Sequence, residues 1–139
     1  MYREVFTATQ ASTSNARNVV PDAFTLNLNY RFAPDKSLAE AEDRLRAVVA
    51  DRASVQVVDR APAAPPARTA PEVAAFLDRV AAPVEPKQAW TDVARLAQHG
   101  VPALNYGPGL TAQAHQAGEW VPLRNLEIAR DALAGFLAG

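Results

Sequence analysis

Between residues 24 and 32, apolar and polar residues alternate without a break. Phe24, Leu26, Leu28, Tyr30 and Phe32 share one face, and Thr25, Asn27, Asn29 and Arg31 share the other. This period of two predicts a strand with one covered face. Residues 5–11 are its expected antiparallel partner, reached through a polar, turn-like link over 12–17. The period then lengthens. Leu38, Ala41, Leu45, Val48 and Val49 recur at helical spacing, and Ser37 with Glu40 forms a capping box that starts the helix. Val55-Gln56-Val57-Val58 reads as a short strand. The order strand, strand, helix, strand is most of a split βαβ unit that lacks its opening strand and helix.

Residues 61–71 hold four prolines, which cannot continue a helix or a central strand. They predict a crossing between two domains. A second helix is expected from Pro71, with Val73, Phe76, Leu77 and Val80 on one face. A strand over 87–90, a helix over 91–99, a strand over 101–106 and a Gly-rich loop follow. A last helix is expected over 123–137, with Leu126, Ala129, Leu133 and Phe136 spaced for burial. The fold class is therefore α/β: an α+β portion, then alternating helices and strands that predict a mainly parallel sheet.

Composition narrows the function. The 139 residues are 49% hydrophobic and 21% charged, as in an ordinary folded domain. A net charge of -1 gives no basic excess for nucleic acid or a membrane surface. No apolar run approaches the roughly 20 residues of a membrane span, and the first residues carry no signal-peptide core. The expected location is cytoplasmic. Cysteine is absent, which excludes disulfides, thiolate ligands and a cysteine nucleophile. Any metal must use His, Asp or Glu, a donor set that suits zinc in a hydrolase. Nucleophile elbow, phosphate loop, dinucleotide fingerprint and HExxH motifs are all missing.

Some residues could still carry chemistry. His115 lies in the loop after the expected 101–106 strand, where α/β sheets bind ligands; the alternative is a surface histidine. His99 precedes Gly100 and suits a helix C-terminus. Arg31, on the polar strand face, could grip a carboxylate with a two-pronged fork or simply be solvated. Asn18 is a turn residue or a substrate contact. Thr91 can cap a helix whose free N–H groups, with Arg95, could hold an anion; the alternative is an Asp92–Arg95 surface pair.

Together these segments resemble the succinyl-diaminopimelate desuccinylases, in the wider group of acetylornithine deacetylases, aminoacylases and carboxypeptidases. Asn18-Val19-Val20-Pro21-Asp22 and Asn29-Tyr30-Arg31-Phe32-Ala33-Pro34-Asp35 look like the latter half of that family's lid domain. Trp90-Thr91-Asp92-Val93-Ala94-Arg95-Leu96, Gly100-Val101-Pro102-Ala103-Leu104-Asn105-Tyr106-Gly107-Pro108-Gly109 and Ala114-His115-Gln116-Ala117-Gly118-Glu119 are similar to the end of its catalytic domain.

The resemblance implies an incomplete ferredoxin-like lid over residues 1–60, a crossing over 61–71, and the last strands and helices of a zinc-peptidase-like catalytic domain over 72–139. It implies amide hydrolysis of N-acyl amino acids by a homodimer with two zinc ions, cobalt or manganese being alternatives. His115 matches the last metal-ligating histidine. Asn18 and Arg31 match lid residues that hold substrate, Arg31 on a carboxylate. Thr91 and Arg95 match the turn that lines the pocket, and Gly107 and Gly109 shape the loop bearing His115. The family's His-x-Asp motif, its further metal-binding carboxylates and its general-base glutamate have no counterpart here. The chain by itself is therefore expected to hold no metal tightly, to supply no catalytic residue and to be inactive alone. The rival readings are a non-catalytic dimerisation or partner-binding module and a related acetylornithine deacetylase, aminoacylase or carboxypeptidase.

Overall fold

Apolar residues on alternate positions give a strand something to cover only if a partner strand matches their phase, and the hairpin shows how that phase is kept. In a computed structural model, which describes residues 1–80 and 82–139, β1 (Val5–Ser12) pairs antiparallel with β2 (Thr25–Arg31). Phe6 faces Tyr30, Ala8 faces Leu28 and Ala11 faces Leu26. Positions 6, 8 and 11 cannot share a face of a regular strand. A β-bulge between Ala8 and Gln10 inserts Thr9 and shifts the phase by one, so Ala11 rejoins the apolar face. The Thr9 hydroxyl donates to the Asn27 carbonyl at 3.3 Å and accepts from the Asn27 amide at 2.6 Å, which fixes the bulge.

The capping box forms as the sequence predicts. The Ser37 hydroxyl accepts the Glu40 N–H at 3.2 Å, and the Glu40 carboxylate accepts the Ser37 N–H at 2.7 Å. It opens α1 (Leu38–Val49), with Ala41 buried and Leu45 and Val49 half-buried. Then α2 (Pro71–Arg79) starts with proline at its first position, where a missing N–H costs nothing. Next come α3 (Val93–Gln98), a single 3-10 turn (Thr111–Gln113) and α4 (Leu123–Leu137), the last with the expected bounds. Gly100, at φ 70°, ends α3: its N–H reaches the Ala97 carbonyl and the Val101 N–H the Leu96 carbonyl, each at 3.0 Å. That is a Schellman close, and it meets the expectation for His99-Gly100.

Strands and helices are mixed, as the α/β class requires, but the expected parallel sheet does not form. Among the described residues the only ladder is the β1–β2 hairpin. The segments expected as strands at 55–58, 87–90 and 101–106 join no ladder. Alternation reports which side of a chain is covered, not which strand pairs with it. Side chains hold two of these segments instead. Arg46 donates to the Val55 carbonyl at 3.4 Å, and Glu42 accepts forks from both Arg46 and Arg60, tying 55–60 to α1. Gln88 accepts the Arg3 N–H at 2.9 Å and donates to the Met1 carbonyl at 3.1 Å.

Two compact units result: residues 1–65 with 86–95, and residues 66–85 with 96–139. The first change of unit falls inside the proline-rich stretch, and residues 86–95 belong with the first unit. The second unit is built on Phe76, whose ring meets Tyr106 at 5.0 Å and Phe136 at 5.1 Å, both nearly perpendicular. Arg79 donates to the Gly135 carbonyl at 2.7 Å and closes α2 on α4.

Burial is sparse. The chain exposes 10999 Å² for 14.9 kDa. A single folded body of that mass exposes about 7,000 Å², and two separate bodies of half the mass about 8,500 Å² together. Either comparison leaves on the order of 2,500 Å² or more of uncovered surface. Phe24, Leu26, Trp120, Leu123, Ile128 and Leu137 are among the exposed apolar side chains.

Candidate functional site

The best-organised polar cluster lies at the end of the hairpin where β2 delivers Arg31. Glu4 stands one residue before β1, in phase with Phe6 and Ala8, so its carboxylate falls on the apolar side. There it accepts from the Lys36 ammonium at 2.6 Å, the Tyr30 hydroxyl at 3.1 Å and the Ala33 N–H at 3.5 Å, with Arg44 3.5 Å away. The Tyr30 ring stacks on Phe6 at 4.0 Å and meets Phe32 at 5.7 Å. The Lys36 hydrogen bond holds the Glu4 carboxyl below its ordinary value; partial desolvation opposes this, and the Tyr30 and Ala33 donors reinforce it. Lys36 is raised, first by Glu4 and then by Asp35.

These shifts fix a pH dependence. Glu4, lowered from 4.5, contributes stability above that pH and loses it as pH falls through the folded value. Lys36, raised from 10.5, contributes below that pH and loses it as pH rises through the folded value. Stability of the first unit should therefore fall below pH 4.5, and fall again above pH 10.0, where Tyr30, raised first by burial and then by the Glu4 hydrogen bond, begins to titrate ahead of Lys36. Acid titration of the thermal midpoint should show a shallower fall in Glu4→Gln. The fall should not vanish, because Glu40 and Glu42 are lowered too, by Ser37 and by Arg46 and Arg60. Equal acid slopes in the two proteins would dismiss the role of Glu4.

Arg31 lies opposite Val5 on the polar face, is exposed, and has no ion-pair partner among the described residues. The nearby acid at position 4 is already committed to Lys36 and Arg44. Asn18 sits exposed in a turn closed by the Val19 N–H on the Ala16 carbonyl at 3.1 Å. Asn15 braces this turn by donating to the Ala16 and Val19 carbonyls. Sequence reasoning missed Glu4 and Asn15. A carboxylate in apolar phase was a readable sign of the first; the second gave no sign beyond turn composition.

Thr91 is half-buried, and its carbonyl accepts the Ala94 N–H at 3.0 Å. The Asp92 carbonyl takes the Arg95 N–H at 2.9 Å. These two amides are therefore occupied, and α3 is only six residues long. Arg95 lies over the Trp90 ring at 5.3 Å and 3.5 Å from Asp92. Both charged side chains are mostly exposed, so the pair contributes little.

His115 has φ 64°, a left-handed backbone uncommon for a residue with a side chain. The Glu119 carboxylate accepts its N–H at 3.2 Å, and Gly118 follows at φ 78°. Gly107 and Gly109 have no positive φ, and a Cβ on either would meet nothing within 4 Å. The conformational demand of this loop thus falls at residues 115 and 118. No three His, Asp or Glu side chains gather to hold a metal among the described residues. His115 is exposed and the Glu119 carboxylate already serves a backbone amide, so the residues present do not fit a complete metal centre. An apolar hollow of about 390 Å³ between α2, α4 and residues 102–106 contains none of the candidate residues.

Residues 1–56 match the peptidase dimerisation domain family. Nearly the whole chain, 99%, is 41% identical over 140 residues to proteins of Mycobacterium tuberculosis strains CDC 1551 and H37Rv named for succinyl-diaminopimelate desuccinylase. It is 32% identical over 142 residues to the succinyl-diaminopimelate desuccinylase of Corynebacterium glutamicum. The chain spans 39% and 38% of the length of these relatives.

Proposed function

We infer, from a desuccinylase-like peptidase-family sequence whose first 56 residues are of the dimerisation type, that this chain is the lid-and-C-terminal portion of a metal-dependent N-acyl-amino-acid amidohydrolase. The observation that carries the reading is 41% identity sustained along 99% of the chain, through both units. Residues 1–60 are assigned to a dimerising lid, 61–71 to the crossing and 72–139 to the closing part of a catalytic domain. The substrate class is N-succinyl amino acids, with succinyl-diaminopimelate as the leading member and a biosynthetic role toward lysine, in the cytoplasm. Arg31 binds a substrate carboxylate and Asn18 a second polar group. Thr91 and Arg95 line the turn beside the substrate, and Gly107 and Gly109 shape the loop that carries His115. His115 offers one ligand toward zinc, whose other ligands lie outside these residues.

A single histidine cannot build a centre that needs about four ligands. The purified chain should therefore hydrolyse no succinyl-diaminopimelate above a no-protein control, with or without added zinc. Zinc-dependent turnover that His115→Ala abolishes would refute this division of labour.

The dimerisation reading has its own support in the exposed apolar end of the hairpin, Phe24 and Leu26. Exposed apolar side chains beside a strand edge suit an association face. Sedimentation should show dimers or larger assemblies at micromolar concentration. A clean monomer at high micromolar concentration would contradict it.

A further inference from the structure

We propose that Glu4 is the positioning residue for Arg31: its carboxylate fixes the strand end on both sides of the guanidinium. The proposal rests on the reading of Arg31 as the group that binds the ligand's carboxylate.

The geometry runs from the backbone outward. Arg31 is flanked by Tyr30 and, two residues on, by Ala33. Glu4 holds the first through its hydroxyl at 3.1 Å and the second through its N–H at 3.5 Å. Phe6 and Phe32 hold the Tyr30 ring. Side chains alternate across a strand, so a clamp on Tyr30 leaves Arg31 pointing from the opposite face. Lys36 and Arg44 approach the same carboxylate at 2.6 and 3.5 Å. A site works when the residues behind its contact group lock the rotamer and backbone of that group.

The test is NMR of the full chain. The probe is N-succinyl-LL-diaminopimelate, and the readouts are the Arg31 Nε–H resonance and the backbone order parameters of residues 30–33. The wild type should show a saturable Arg31 shift and a rigid backbone there. Glu4→Ala should weaken the apparent affinity by roughly tenfold, short of the ~100-fold that a 1 Å misplacement can cost. Glu4→Gln keeps one acceptor oxygen, enough for either Tyr30 or Ala33, and should recover part of that loss. Should Glu4→Ala fail to fold, Tyr30→Phe removes one clamp bond alone and should weaken binding by a few-fold. A merely structural glutamate would lower the melting midpoint without these changes at Arg31. No Arg31 shift in the wild type, or unchanged binding in Arg31→Ala, overturns the Arg31 reading and the proposal with it. Lost binding in Arg31→Ala with unchanged binding and order in the folded Glu4 and Tyr30 variants overturns the positioning role alone.

Discussion

Phe76→Ala should destabilise the second unit by about 3–5 kcal/mol, the range for truncating a large buried aromatic side chain. Phe76 is 7% exposed and is the ring against which Tyr106 and Phe136 both set their edges. Each edge-to-face contact contributes about 0.5–1.5 kcal/mol beyond area burial. The unit has little else to fall back on: among the described residues its other buried apolar side chains are Val73, Val80 and Ala129. Whole domains are stable by only about 5–15 kcal/mol, so a loss of this size leaves the unit near its midpoint. Trp120 belongs to this unit and Trp90 to the first, so each unit has its own fluorophore. In a Trp90→Phe background, urea unfolding followed at Trp120 should move to markedly lower denaturant in Phe76→Ala. Phe76→Leu should recover a good part of the shift. A change below about 1 kcal/mol would mean that the site is already solvated or readily collapses.

Arg31→Ala in the complete hydrolase should lower kcat/KM by roughly thirty-fold to several hundred-fold. That range corresponds to about 2–4 kcal/mol for truncating one partner of a buried, charge-assisted pair, at about 1.4 kcal/mol per tenfold. In the free chain the guanidinium is exposed and unpaired, so its removal should leave folding nearly unchanged. Arg31→Lys should restore only part of the activity, since an ammonium cannot make two parallel hydrogen bonds. Metal content should not change. An Arg31→Ala enzyme with near-wild-type efficiency would return Arg31 to the solvated strand face.

What could be read in advance followed locality. The alternation of β2, the Ser37–Glu40 box, Pro71 at a helix start, Gly100 at a helix end and the bounds of α4 all depend on residues a few positions apart. The strands expected at 87–90 and 101–106 depend on partners that a period-two pattern does not name. The candidate site divides in the same way. Arg31 was visible because alternation places it on the uncovered face. Glu4 reaches Tyr30, Lys36 and Arg44 only after the hairpin has closed and α1 has come alongside. The left-handed backbone of His115, which Glu119 braces, left no mark in composition.

The bulge at Thr9 makes the hairpin indifferent to strand length at one point. Ala8 meets Leu28 and Gln10 meets Asn27, so Thr9 has no counterpart on β2. A chain lacking Thr9 would run Ala8, Gln10, Ala11 against Leu28, Asn27, Leu26 as a regular ladder, with Phe6 still on Tyr30. Deletion one residue to either side removes a paired position yet reaches the same spacing by shifting its neighbour into the gap. Around this site a one-residue deletion leaves both faces in phase, whereas one in β2 would turn the residues beyond it to the wrong side. Homologous hairpins of unequal length would thus be expected to differ here first, and to keep Arg31 aimed the same way.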